Sequence, residues 1–350
     1  MAKNECVEWQ VELDLVKGCA MLLIVWGHVT NALFAGEVVY YFPAKLVGAT
    51  FVIPILTWVS GYLACDSLKK RTFAQYISAR CRRIAVPCIV WNILVWMVIN
   101  LAKSALNRGK LSPISLGGYW FLWALLISDI ILTLEIKFCN NYMQIVLLSI
   151  AICILLIVLP IELWYLAWVY PYFIVGYFSS HIIEKMKQCF WTVWVMAVMM
   201  YVLVLPFFKD EYLVYYSGSN IWQGKGVLSQ LGIDLYRFII GMLGIIVMYG
   251  LCIMVINSIT EHNFLMRVII RLGKHSMGIY LIHTLIVSYI LTAVVHNFDF
   301  IKKYCQERRD LVAYVFGPIV VLGVLVLVEK IILFINKNWL LKRILLGEYR

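Results

Sequence analysis

The chain is a succession of unbroken apolar runs, each about twenty residues long, separated by short segments that carry the charge. A helix rises about 1.5 Å per residue, so one such run matches a hydrocarbon layer about 30 Å thick. One soluble core cannot absorb this much apolar surface. Of 350 residues 63% are hydrophobic and 14% charged, against about a quarter charged in soluble domains. The same balance excludes disorder, collagen-like fibres and a compact secreted domain, and a membrane β-barrel would alternate over ten-residue segments. The expected fold is an all-α polytopic transmembrane helix bundle, one domain over 1–350. About ten spans are expected, near 15–34, 46–64, 84–102, 116–136, 143–160, 163–181, 189–208, 230–256, 276–295 and 311–335. The turn at Leu159-Pro160-Ile161-Glu162 is very tight for two full spans.

Orientation follows from the basic residues. A net charge of +11 would point to nucleic acid in a soluble protein, but here the basic residues sit in short loops between apolar runs, and no nucleic-acid partner is expected. With the N-terminus inside, the larger share falls on the cytoplasmic side, including Lys69-Lys70-Arg71, Arg80, Arg82, Arg83, Arg267, Arg271, Lys274, Lys342 and Arg343. The positive-inside rule then places both termini in the cytoplasm. Lys302, Lys303, Arg308 and Arg309 run against this trend. Glu5, Glu8, Glu12 and Asp14 precede the first span, so no cleavable signal is expected there. Only Cys305 of the ten cysteines falls in an outer segment, which argues against a disulfide framework.

The first span carries charge where lipid penalises it. Asp14 and Lys17 are three apart and able to pair, and His28 follows eleven residues after Lys17 on nearly the same helix face. Three turns separate them by roughly 16 Å, so a lysine at the inner boundary puts the histidine at mid-bilayer. An ionisable group there costs about 2.5–3.5 kcal/mol on insertion scales unless it faces a cavity or a partner. Two readings stay open for His28: a ring satisfied by a neighbouring helix, or a base kept neutral by exclusion from water. Lys17 has the alternative of snorkelling to the interface.

Arg80-Cys81-Arg82-Arg83 stands before the third apolar run, with Pro87 in the expected first turn. Arg80 and Arg83, three apart, share a helix face if the helix begins slightly early, and two guanidiniums suit a polyphosphate. Topology alone also demands basic residues here.

Asp14-Leu15-Val16-Lys17-Gly18 with His28 ten residues beyond resembles the signature of the membrane-bound acyltransferase-3 family, O-acetyltransferases of bacterial surface carbohydrates. Arg80 and Arg83 match that family's Arg-x-x-Arg. Further matches are Val59-Ser60-Gly61-Tyr62-Leu63, Tyr119-Trp120-Phe121-Leu122-Trp123 and Gly273-Lys274-His275-Ser276-Met277-Gly278-Ile279-Tyr280-Leu281-Ile282-His283. Lys17 departs from the family's commoner arginine and lacks its planar fork. The resemblance implies an enzyme of the bacterial plasma (inner) membrane that moves an acyl group, usually acetyl, from acetyl-CoA or another acyl-CoA to a carbohydrate or glycolipid hydroxyl. The coenzyme is then a co-substrate, with no cofactor bound permanently. The resemblance makes His28 the catalytic base, with Lys17 and Asp14 as its charged companions on the same helix, and has Arg80 and Arg83 hold the coenzyme phosphates.

Trp120, Trp123, Asp129 and His283 are candidates for the acceptor site, the tryptophans because indoles stack on sugars. Trp120 and Trp123 also suit an interfacial belt, and Asp129, His283 and Glu329 also suit helix-to-helix hydrogen bonds. Asp234 and Arg237 most simply pair with each other. Gly61 reads as a close-packing position, with Ser60 beside it having no histidine near in sequence. No metal-ligand spacing, P-loop or dinucleotide fingerprint is present. The competing class is a glycolipid or solute transporter or flippase, whose intramembrane charges would line a path. The acceptor sugar and the oligomeric state are not legible in the sequence.

Overall fold

The computed structural model describes residues 2–34, 43–105, 112–160, 163, 165–186, 188–223, 226–258 and 263–349. Ile161 and Glu162 of the expected tight turn lie outside these residues. Among the described residues there is helix at every expected span and no strand. The principal helices are α1 Ala2–Leu33, α2 Pro43–Lys69, α3 Phe73–Ser104, α4 Trp120–Phe138, α5 Tyr142–Val158 and α6 Leu166–Met186. They continue as α7 Phe190–Phe207, α8 Val227–Ser258, α9 Phe264–Lys274, α10 Ser276–Asn297, α11 Arg309–Asn336 and α12 Trp339–Leu346. Seven of these are long and apolar enough to cross a membrane: α1, α2, α3, α7, α8, α10 and α11. Leu147, Ile154, Leu203 and Leu322 stand exposed on outward faces, as lipid requires and water would penalise. This is a multi-pass membrane protein.

α1 runs through the middle of the bundle and packs on α2, α8, α9, α10 and α11. Its apolar positions Val16, Ala20, Val25 and Val29 are buried. Glycines set how closely its neighbours approach. A methyl group on Gly18 would collide with the Ile269 carbonyl of α9, and one on Gly273 of α9 with the Asp14 carbonyl of α1. Gly61 of α2 faces the Phe173 carbonyl of α6, and Gly176 of α6 faces the Trp58 carbonyl of α2. Each crossing is therefore a reciprocal backbone contact, the packing that small residues permit inside membranes. Gly61 plays the packing role its sequence context suggests, and Ser60 donates to the Leu56 carbonyl of its own helix at 2.8 Å.

The third span begins earlier than the apolar run implies. Thr72 and Gln75 form a reciprocal capping box, so the helix starts at Phe73 and Pro87 lies inside it rather than in its first turn. The backbone widens to a π-helical turn over Cys81–Ala85, directly before the proline. Pro87 has no N–H to give the Arg83 carbonyl four residues back. Gly347, at positive φ just after α12, packs on that carbonyl so closely that a side chain there would collide. Trp91 of α3 donates to the Leu345 carbonyl at 2.8 Å, which ties α12 to the same place. Two more π-helical stretches, Thr284–Leu291 in α10 and Val312–Phe316 in α11, interrupt helices near α1.

Candidate active site

The His28 ring is not sealed among apolar neighbours. It stands on the wall of a cavity of about 490 Å³, formed at one end of the bundle. α1 contributes Leu23, Trp26, Gly27, His28 and Asn31. The N-terminal ends of α4 and α6 contribute Gly118, Trp120 and Trp168. α10 adds Tyr280, Thr284, Ser288 and Tyr289, and the segment between α7 and α8 adds Tyr212, Leu213, Val214, Tyr215 and Tyr216. Aromatic rings thus surround the imidazole on several sides. Trp120 is their hub, stacked on Trp168 with centroids 6.1 Å apart and meeting Tyr165 and Tyr215 edge-on at 5.1 and 6.2 Å. Gly27 keeps the space beside His28 open, since a Cβ there would have nothing within 4 Å.

The site is fixed from behind. His283 of α10 is completely buried, with its ring centroid 5.2 Å from that of His28 at an interplanar angle of 61°. Its Nδ1 lies 2.7 Å from the Ile279 carbonyl, an oxygen that only accepts, so the ring proton belongs on Nδ1. Nε2 then carries a lone pair, and it has no partner among the described residues. The buried Nε1 of Trp26, two residues before His28, is likewise without a partner. Orphaned polar atoms are uncommon in buried regions and ask for an explanation; Trp26 lines this cavity, and His283 lies behind it against the His28 ring. Ser288 Oγ, in the π-helical stretch of α10, lies 3.5 Å from His28 Nδ1. Tyr119 donates to the Leu281 carbonyl at 3.0 Å, which fixes the corner carrying Gly118 and Trp120 against α10.

The charged candidates sit away from this cavity. Lys17 pairs with Asp14 at 2.7 Å, beside the Gly18–Gly273 crossing of α1 and α9. Arg80 directly precedes the π-helical turn and Arg83 lies within it, so the two are not held in the register of a regular α-helix. Arg80 points inward, its Nε donating to Asp129 Oδ2 at 2.5 Å and its Nη2 pairing with the same oxygen. Tyr76 Oη donates to the other Asp129 oxygen. Asp129 is fully buried, and this is the company it keeps in place of His28. Arg83 is exposed at the α3 surface. Arg82 and Arg343 both lie over the Tyr349 ring, at 5.8 and 5.3 Å, and Arg343 also covers Trp339 at 4.2 Å. Together with Arg83 they make one end of α3 a basic, aromatic surface. Trp123, one turn beyond Trp120, donates to the Leu116 carbonyl at 3.1 Å and does not line the cavity. Glu329 pairs with Arg271 at 2.8 Å, away from His28. Among the described residues no group of histidine, cysteine, aspartate and glutamate side chains could hold a metal ion.

A family model described as an acyltransferase domain matches residues 10–330, a stretch that contains His28, the arginine pair and the whole cavity. The chain belongs to the acyltransferase-3 family. Among this family member's curated relatives is nodulation protein NolL of Sinorhizobium fredii, 27% identical over 184 residues, covering 50% of each chain. Nodulation protein NolL of Mesorhizobium japonicum is 26% identical over 217 residues, covering 58% of this chain and 57% of that protein. The chain thus spans about half the length of the curated relatives it matches. No solved structure matches it.

Several residues of this acyltransferase domain were not singled out by sequence reasoning. Trp26, Trp168, Ser288, Tyr289 and the Tyr212–Tyr216 segment line the cavity, and Tyr76 completes the Arg80–Asp129 cluster. The available signal was weak: tyrosines in a loop have no periodicity, and a tyrosine near a span boundary reads as belt.

Proposed function

We propose that this protein transfers an acyl group, acetyl from acetyl-CoA in the first instance, to a hydroxyl of a cell-surface or lipid-linked carbohydrate. The observation that supports it best is the His28 imidazole on the wall of an aromatic-lined cavity inside an acyltransferase domain. Rings such as Trp120, Trp168 and Tyr215 offer the flat apolar faces on which a sugar stacks. His28 takes the proton of the acceptor hydroxyl as its oxygen attacks the thioester carbonyl carbon. A C–O bond forms, the C–S bond breaks, and the imidazolium returns its proton to the departing coenzyme A thiolate. His283, with its lone pair turned towards no donor among the described residues, supports the ring from behind and is a positioning residue in this reading.

The donor enters from the opposite, basic end, which we take to be cytoplasmic, with both termini on that side. There Arg83 meets the coenzyme phosphates, and Arg80, held by Asp129, presents the remainder of its guanidinium. The Lys17–Asp14 pair lies on α1 between this end and His28. The residues suit coenzyme A as a transient co-substrate, in a bacterial plasma membrane that separates the donor pool from the surface glycan.

Membranes carrying the protein, supplied with acetyl-labelled acetyl-CoA, should place alkali-labile label on an alkyl glycoside or on surface glycan. Movement of a glycoside across the bilayer with no new ester would favour a transporter and overturn the proposal.

A further inference from the structure

Arg237 of α8 makes hydrogen bonds on all three guanidinium nitrogens, and these point to the cavity. An arginine within a span needs a counter-charge, and Asp234 supplies one at 2.7 Å. Asp234 in turn accepts from Gln230 at 3.2 Å. One carboxylate would satisfy the charge, yet the remaining donors reach out of the helix. Nε donates to the Tyr212 carbonyl at 2.6 Å, and Nη1 to the Gly218 carbonyl at 2.6 Å. Nη2 donates to Ser217 Oγ and, at 3.4 Å, to the Glu211 carbonyl. The Arg237 side chain is only 4% exposed. Its planar fork is what allows four acceptors of one loop and a carboxylate to be held together; the point charge of a lysine does not.

The loop so held is a strap. Ser217 Oγ closes it on the Glu211 carbonyl at 2.7 Å, Gly218 turns it with φ of +70°, and Tyr212 stacks on Tyr236 of α8 at 4.3 Å. Between these anchors, Tyr215 and Tyr216 are more than half exposed and line the cavity shared with His28. Tyr172 of α6 donates to the Arg237 carbonyl at 2.7 Å, so the latch is tied to the helix that carries Trp168.

We propose that Arg237 is a positioning residue for the acceptor. It clamps the 211–218 strap so that Tyr215 and Tyr216 form a fixed wall facing Trp120, and this sets the affinity for the sugar without touching the donor. The inference rests on the acyl-transfer reading, and it concerns only one of that reaction's two substrates.

The test uses the full chain in lipid nanodiscs, acetyl-CoA as donor and octyl β-glucoside, β-galactoside and β-N-acetylglucosaminide as acceptor probes. Arg237→Met should raise KM for whichever glycoside the unmodified protein acetylates by about ten-fold or more and leave KM for acetyl-CoA within about two-fold. Ser217→Ala removes one acceptor of the latch and leaves α8 intact, so it should raise the same KM by about three-fold. Amide exchange measured by mass spectrometry should accelerate in 211–218 in both variants and stay unchanged in α1 and α10. An unchanged acceptor KM, or equal losses for donor and acceptor, overturns the proposal. If the unmodified protein acetylates none of the probes, that result counts against the acyl-transfer reading. The exchange data then decide the latch alone, and strap protection that survives in both variants refutes it.

Discussion

Removing the carboxylate of Asp129 should destabilise the bundle far more than removing both members of its pair together. Asp129 is fully buried, and Arg80 is 21% exposed with two of its nitrogens on one Asp129 oxygen. Two unit charges about 4 Å apart attract by about 4 kcal/mol at an effective dielectric of 20. Desolvation of both offsets most of that gain, so the intact pair contributes little net stability, whereas stripping one partner costs about 3–5 kcal/mol. Asp129→Ala should sit near 3 kcal/mol, because the partly exposed Arg80 can swing towards water. Arg80→Ala should lie nearer 5 kcal/mol, because the carboxylate left behind is wholly buried and, among the described residues, has Tyr76 alone to donate to it. Arg80→Met with Asp129→Leu replaces two charges by apolar side chains, and should cost well under about 3 kcal/mol, less than either single change. The assay is unfolding in mixed micelles titrated with SDS, followed by tryptophan fluorescence. Single changes that add to within about 0.5 kcal/mol in the double variant would refute the reasoning. A KM for acetyl-CoA measured on the same set shows whether the fixed guanidinium also serves the donor.

Three further outcomes follow from the geometry. Gly27→Leu should fold at least as well as the unmodified chain, since glycine within a helix costs about 1 kcal/mol, and should block glycoside acetylation by filling the space beside His28; normal turnover would show that the acceptor binds elsewhere. Gly176→Val should cost about 3 kcal/mol or more in the same SDS titration because the α2–α6 backbones cannot separate locally, and an unchanged midpoint would contradict the reciprocal glycine packing. Trp120→Ala removes the ring that meets Trp168, Tyr165 and Tyr215; it should raise the acceptor KM by about ten-fold, or 1.4 kcal/mol of stacking, while an equal rise for acetyl-CoA would place the indole on the donor instead.

What the sequence made legible follows from distance along the chain. Asp14, Lys17 and His28 are visible because charge inside an apolar run is conspicuous, and their spacing on one helix is arithmetic. Asp234 and Arg237 are three apart on one helix and pair as that spacing implies. The partners of Arg80 are not legible, because Asp129 lies on a different helix 49 positions away in the chain. His283 is further still from His28, and only the packing of α10 on α1 brings the rings together. The start of α3 was hidden because Phe73–Arg80 is mixed in polarity and reads as loop, although Thr72 and Gln75 carry the capping pattern. The strap between α7 and α8 has no period at all; its place in the cavity depends on Arg237, whose remaining donors a pairwise reading with Asp234 leaves unassigned.

The most direct test of the central claim is acetyl transfer by His28→Ala, with membranes matched for protein level and octyl glycoside acceptors at saturation. A general base contributes about 10²- to 10⁴-fold, so ester formation should fall by at least about 100-fold while acetyl-CoA still binds. Transfer at the unmodified rate in that variant would contradict the assignment of His28 as the base.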